Sequence, residues 1–231
     1  MESDSEIRSL VDARGLIIGY PQRRICGPLD LQLRAGDGLG VIGSNGSGKS
    51  TLLATLLARI PALSGSTEYR GLPLDEDRLD FRRNVAVQVS DGAFLEELSV
   101  AEHLEMVARG HGLARWESKV EHELEFFELS AVADHVPGEL SSGQCRKLLL
   151  AATLIRPAEL LILDEPEQRL DLRIRQRLYE RLAQLRTQAV SILAVTHDPK
   201  MLRHCLSRVL LVEGDAGEYL SAEQGAQWLE R

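Results

Sequence analysis

The chain has 231 residues, 44% apolar, 27% charged and 4% aromatic, with a formal charge of −8 at neutral pH. That length allows one large α/β domain with an appended subdomain and excludes two full domains of that size. The acidic balance argues against a nucleic-acid partner, and the longest apolar stretch, residues 148–155, is far short of a membrane span.

Short apolar runs at Ile7–Val11, Leu16–Tyr20 and Leu29–Leu33 read as strands separated by turn signals at Arg14-Gly15, Pro21 and 35–38. A buried strand is expected at Leu39–Ile42. A helix over 49–60, ending before Pro61, carries Leu52, Leu53, Leu56 and Leu57 at helical spacing. Strand character returns at Thr67–Arg70 and Val85–Val87, and the acidic cluster 75–77 between them reads as a solvated loop. From about 94 to 156 the pattern is helical, with helices over Val100–Arg109, Trp116–Leu129 and Gly143–Ile155. Strands at Leu160–Leu163, Val190–Val195 and Val209–Val212 then alternate with helices near 170–187 and 198–206. Alternating β and α segments with apolar strands imply a parallel sheet covered by helices, and residues 91–156 read as a helical insertion into it.

Three cysteines, Cys26, Cys145 and Cys205, are widely spaced with no C-x-x-C pair. They suggest neither a zinc site nor a disulfide framework and fit a reducing cytoplasm. Residues 1–6 are acidic and lack the basic and apolar regions of a signal peptide. His103, His111, His122, His135 and His204 show no metal-ligand spacing and read as surface or helix-face residues.

The most informative segment is Gly43-Ser44-Asn45-Gly46-Ser47-Gly48-Lys49-Ser50-Thr51, which matches G-x-x-x-x-G-K-[ST] between a strand and a helix. Glycines let the backbone wrap a phosphate with its N–H groups turned inward, and the helix dipole favours negative charge there. Lys49 would reach the outer phosphates and the Ser50 hydroxyl would ligate Mg²⁺. The pattern therefore points to a nucleoside triphosphate. Farther on, Leu160–Leu163 runs into Asp164-Glu165-Pro166. An Asp at the end of a neighbouring strand complements Ser50 at the metal, and Glu165 is the candidate to orient and deprotonate an attacking water.

With these residues in place the chain resembles the nucleotide-binding subunits of ATP-binding cassette (ABC) systems, over about residues 8–213. Leu140-Ser141-Ser142-Gly143-Gln144 resembles that family's L-S-G-G-Q signature, 20 residues ahead of Asp164. Gln88 matches the Q-loop glutamine, Leu170-Asp171 the end of the D-loop, and His197 in Val195-Thr196-His197-Asp198 the switch histidine. Tyr20 sits where the family stacks an aromatic on adenine. The resemblance implies a P-loop NTPase with a RecA-like parallel-sheet core, an N-terminal antiparallel β subdomain and an inserted helical subdomain. The core and β subdomain would occupy 1–90 and 157–231, and the helical signature subdomain 91–156.

The resemblance also implies a mechanism and partners. ATP and Mg²⁺ would lie between one cassette's glycine loop and the signature of a second, identical or different cassette, in head-to-tail packing. Ser141 and the backbone near Ser142, Gly143 and Gln144 would contact the γ-phosphate of the partner's nucleotide. His197 would hold the γ-phosphate and water, and Gln88 would sense the metal and couple to the helical subdomain. Transmembrane permease subunits would hold the protein at the inner face of the cell membrane. The segment from Asp91 to Val100 slightly favours an exporter. The alternative is a soluble ABC ATPase in an assembly or remodelling complex, such as iron–sulfur cluster assembly. A small-molecule kinase would leave Leu140–Gln144 and His197 without a role.

Three positions depart from the family pattern. Ser142 replaces the signature's first glycine, Glu167-Gln168-Arg169 replaces small or polar D-loop residues, and Cys145 stands where a basic or polar residue is usual.

Overall fold

The computed structural model describes residues 9–88, 94–214 and 216–231. Two sheets organise it. Strands β1 (Val11–Tyr20), β2 (Arg23–Leu33), β4 (Ser64–Tyr69) and β5 (Leu72–Pro73) form an antiparallel sheet in the order β2-β1-β4-β5. The second sheet has β3 (Gly38–Ile42), β6 (Val85–Gln88), β7 (Leu160–Asp164), β8 (Ser191–Val195), β9 (Arg208–Glu213) and β10 (Ala216–Ser221), ordered β10-β9-β3-β8-β7-β6. All its neighbours pair in parallel except β10, which closes an antiparallel hairpin on β9.

The parallel strands are apolar on both faces because both faces are covered. Leu161 and Leu163 of β7, with Ile192 and Ala194 of β8, join one core. The alternate residues Leu160, Ile162, Leu193 and Val195 join the other. Helix α1 (Lys49–Leu56) and the antiparallel sheet fill the second core. The first takes α3 (Val100–Gly110), α4 (Trp116–Phe126), α5 (Ser142–Leu154), α6 (Leu172–Thr187), α7 (Pro199–Cys205) and α8 (Ala222–Leu229). A short helix, α2 (Leu79–Asn84), packs Phe81 edge-on against Tyr69.

The helical insertion is tied to the core by charge as well as packing. Glu123 of α4, 2% exposed, pairs bidentately with Arg181 of α6 at 2.7 and 2.6 Å. Arg181 and Arg177 also lie over the Phe126 ring, 4.8 and 4.6 Å from its centroid.

Several elements differ from the sequence expectations. The first strand is continuous through Arg14-Gly15, because Gly15 at φ 56° lets the ladder slip register rather than end. Residues 7 and 8 of that expected strand lie outside the described residues. Helix α1 stops at Leu56, where Ala58 turns left-handed (φ 58°) ahead of Pro61. Helices α2 and α8 and strand β10 were not anticipated. His103 is not a surface residue. It is 4% exposed, its Nε2 accepts the Leu95 N–H at 2.8 Å, and its Nδ1 faces the Leu98 and Ser99 carbonyls.

Candidate functional site

Gln88, Asp164 and the glycine loop come together because the parallel strands that carry them end together. Gln88 ends β6 and pairs with Leu163, while Asp164 ends β7 opposite Val195 of β8. The glycine loop leaves β3, whose Val41 lies beside Val195, and the Thr196 N–H donates to the Val41 carbonyl.

Gly43, Gly46 and Gly48 adopt φ of 155°, 82° and 107°. A Cβ at Gly43 would overlap the Val212 carbonyl oxygen, and one at Gly48 would lie 2.5 Å from Ile25 Cγ2. The loop is therefore pressed against the Val212 backbone at Gly43 and the Ile25 side chain at Gly48, where only glycine fits. Ser44 donates its N–H and its hydroxyl to Glu213, both at 2.9 Å, which pins the loop to the end of β9. Ser44, Asn45 and Ser50 are exposed, and Thr51 is half-buried in the first turn of α1. No side chain caps that helix start, and its first turn holds no acid. Its positive end is free for an anion. Lys49 is buried and folds back, its Nζ donating to the Gly43 and Ser44 carbonyls at 2.9 Å each. Burial lowers the Lys49 pKa, against the opposing pull of Glu165, Asp164 and Glu213.

Opposite the loop stand the two carboxylates. Burial, reinforced by Glu165, raises the Asp164 pKa to about 6. Glu165 occupies a left-handed turn (φ 47°), a conformation that costs a side-chain-bearing residue about 1–2 kcal/mol. That turn sets its Oε1 3.3 Å from His197 Nε2. Buried Arg146, on α5, donates to the Asp164 carbonyl at 2.6 Å and also to that of Glu165. The signature helix is thereby joined to the acid pair.

Polar atoms without partners reveal what the crevice is built to hold. Ser47 Oγ and both amide atoms of Gln88 are buried and make no hydrogen bond among the described residues. Such groups are costly unless a ligand satisfies them. An uncapped helix start and a buried lysine suit a polyphosphate, and an oxygen-rich edge of Ser50, Gln88 and Asp164 suits a hard divalent cation.

Tyr20 and the four signature residues stand apart. Tyr20 is 49% exposed at the end of β1, two residues beyond Ile18, which with Ile25 lies against Gly48. The signature starts α5, where the Ser141 hydroxyl accepts the Gln144 N–H and the Gln144 side chain accepts the Ser141 N–H. Ser141 and Ser142 are exposed, and Gly143 sits close under the Arg169 carbonyl. Among the described residues none of the four hydrogen-bonds to the glycine loop. Of the segment from Asp91 to Val100, residues 91–93 lie outside the described residues. The Cys145 thiol, its pKa raised by burial, faces the Pro137 carbonyl at 3.8 Å.

Sequence reasoning missed the reach of Arg146, the Glu213 clamp on Ser44 and the burial of Glu167. The one signal for Glu167 was an acid in a turn expected to carry small residues.

Known proteins share this arrangement. The family model described as "ABC transporter" matches residues 26–168. The Nod factor export ATP-binding protein I of Burkholderia thailandensis is 33% identical over 84% of this chain and 64% of its own length. That of Cupriavidus metallidurans is 31% identical over 91% of this chain and 73% of its own. YkoD of Bacillus subtilis, named for HMP/thiamine import, is 30% identical over 97% of this chain and 41% of its own. The chain thus spans about two thirds or less of most of these relatives. Two solved structures share the fold. An ATP-binding subunit of an ABC transporter superposes with a TM-score of 0.83 at 22% identity, covering 96% of this chain and 94% of its own. A dimeric ATP-binding cassette in a post-hydrolysis state with ADP and Pi gives 0.80 at 19%, covering 92% and 98%.

Proposed function

The chain belongs to the ABC transporter family, and from that premise we propose that it is the ATP-binding and hydrolysing cassette that powers a transporter. The observation that carries this reading is the set of buried, unpartnered polar groups at the strand ends, Ser47 Oγ and the Gln88 amide, beside an uncapped helix start.

ATP binding requires Lys49 to leave the Gly43 and Ser44 carbonyls and turn to the outer phosphates, while the N–H groups of 46–51 receive the phosphate oxygens. Ser50, Gln88 and Asp164 would hold Mg²⁺, which would neutralise phosphate charge. Asp164 would serve there as a carboxylate, the form it takes above about pH 6. Glu165 accepts a proton from the attacking water, and His197 keeps that water and the γ-phosphate in line. Tyr20 offers a ring to the adenine.

The exposed signature, satisfied within its own helix cap, is left to a second cassette. Ser141 uses its oxygen to cap α5 and retains its hydroxyl proton, and the Ser142 and Gly143 N–H groups lie at the helix start. A head-to-tail pair of cassettes would close these groups over the partner's γ-phosphate, and hydrolysis would release them. Permease subunits would supply the spans, since no described helix is long and apolar enough to cross a membrane. Docked on them, the cassette would lie on the cytoplasmic face. Export is the direction favoured, in line with the names of several relatives, while YkoD is named for import.

Tagged Glu165→Gln protein captured with MgATP from detergent-solubilised membranes tests this reading. A polytopic membrane protein in stoichiometric amount is the expected partner. Soluble partners alone would move the assignment to an assembly or remodelling ATPase.

A further inference from the structure

Glu167 lies two residues beyond Glu165, in the D-loop turn, and is 5% exposed. Its Oε1 accepts two hydrogen bonds from the end of β8, from the Thr196 hydroxyl at 2.6 Å and the His197 N–H at 2.9 Å. Thr196 is fully buried, and its Oγ1 in turn accepts the Asp198 N–H at 3.0 Å. From the other side, the Asp198 carboxylate accepts the Tyr179 hydroxyl at 2.8 Å and Arg175 at 3.2 Å, both from α6. Residues 196–198 are thus fastened at both ends, and the His197 ring is left to meet Glu165.

The second oxygen of Glu167 is buried without a partner. A carboxyl side chain with one idle oxygen is a poor way merely to fill a turn, since a small hydroxyl residue would bury less polar surface. What Glu167 adds is reach. It crosses from the D-loop to the neighbouring strand end and fixes the main chain at His197 itself.

We propose that Glu167 is a positioning residue for hydrolysis, locking the loop that presents His197 to Glu165 through its bonds to Thr196 and the His197 amide. This rests on the ATPase reading above and names a residue that reading did not need. Catalytic geometry is sensitive on the ångström scale, so a loosened His197 should slow the chemical step without weakening nucleotide binding.

The test compares wild type with E167A, E167Q and T196V by steady-state ATP turnover and MgATP affinity. Glutamine keeps the Oε1 acceptor for both donors, alanine removes both bonds, and T196V removes the hydroxyl bond while leaving that of the His197 N–H. E167A and T196V should lose about 10- to 100-fold in kcat with MgATP affinity within about twofold, and E167Q should recover most of the loss. Unchanged kcat in both E167A and T196V, or equal loss in E167Q and E167A, overturns the proposal. Should E167A fail to fold, T196V and E167Q carry the same decision. The His197 amide proton resonance is the second readout and needs no turnover. It should move upfield in E167A and hold in E167Q, and an unmoved signal in E167A would overturn the bridge. A wild type that binds no MgATP would instead sink the ATPase reading, leaving the resonance to judge the loop.

Discussion

The starts of α1 and α5 are both assigned to phosphate, yet they are built in opposite ways. The first is uncapped, surrounded by glycines at positive φ, and faces buried groups that lack partners. The second caps itself, Ser141 and Gln144 bonding reciprocally, and lies exposed. A helix end that is unsatisfied within its own chain waits for a ligand in that chain. One that is already satisfied can be offered to another molecule without cost while it waits.

The largest effects should break the α1 side alone. Lys49→Ala should lower MgATP affinity by at least about 100-fold in an isothermal titration, since the buried ammonium has no substitute. Gly43→Ala should destabilise the fold by about 3 kcal/mol in urea, because its Cβ meets the Val212 carbonyl. Gly46→Ala, with nothing within 4 Å of its Cβ, should cost only about 1 kcal/mol. Equal costs at the two glycines would mean that the loop is less closely pressed than described.

Ser141→Arg should break the α5 side alone. Sedimentation of the Glu165→Gln background with ATP should show a dimer that the added Ser141→Arg abolishes, while nucleotide binding by the single chain persists. A dimer that survives would refute the contact between chains.

A smaller effect follows from the acid pair. With its pKa raised to about 6, Asp164 carries a proton below that pH and an open carboxylate above it. Apparent Mg²⁺ affinity in the presence of ATP should therefore weaken by up to about tenfold per pH unit below 6 and level off above 7. Asp164→Asn should flatten that profile. Smallest of all, Ser142→Gly should change turnover by about twofold or less, as expected for an exposed position.

The order of α and β segments, the glycine loop and the Asp164–Glu165 pair were readable because each imposes a local rule on residue type. Only glycine tolerates φ 107° pressed against Ile25, and an apolar run ending in acids marks a buried strand meeting a crevice. Less was readable where meaning depends on distant packing. Glu167 is a lone acid in sequence, and its bonds to residues 29 and 30 positions away exist only once β7 and β8 lie side by side. His103 differs, since its partners lie close by in sequence, in the turn that precedes its own helix, but a lone histidine does not announce them. Helix α8 did leave a trace, the Ser221-x-x-Gln224 capping box, but it is only eight residues long and holds Gly225 in its interior, a residue that disfavours helix.

The Glu123–Arg181 pair bears on how this protein could be recombined. By chain position α3–α5 end well before α6, so a chimera-maker would cut there and exchange those helices as a cartridge. By charge it ends at Arg181. A graft lacking the matching arginine would strand a buried carboxylate at a cost of about 3–5 kcal/mol, a large share of an ordinary domain's stability. The exchangeable unit is therefore discontinuous in the chain, and a donor insertion should travel with one residue from the scaffold it left.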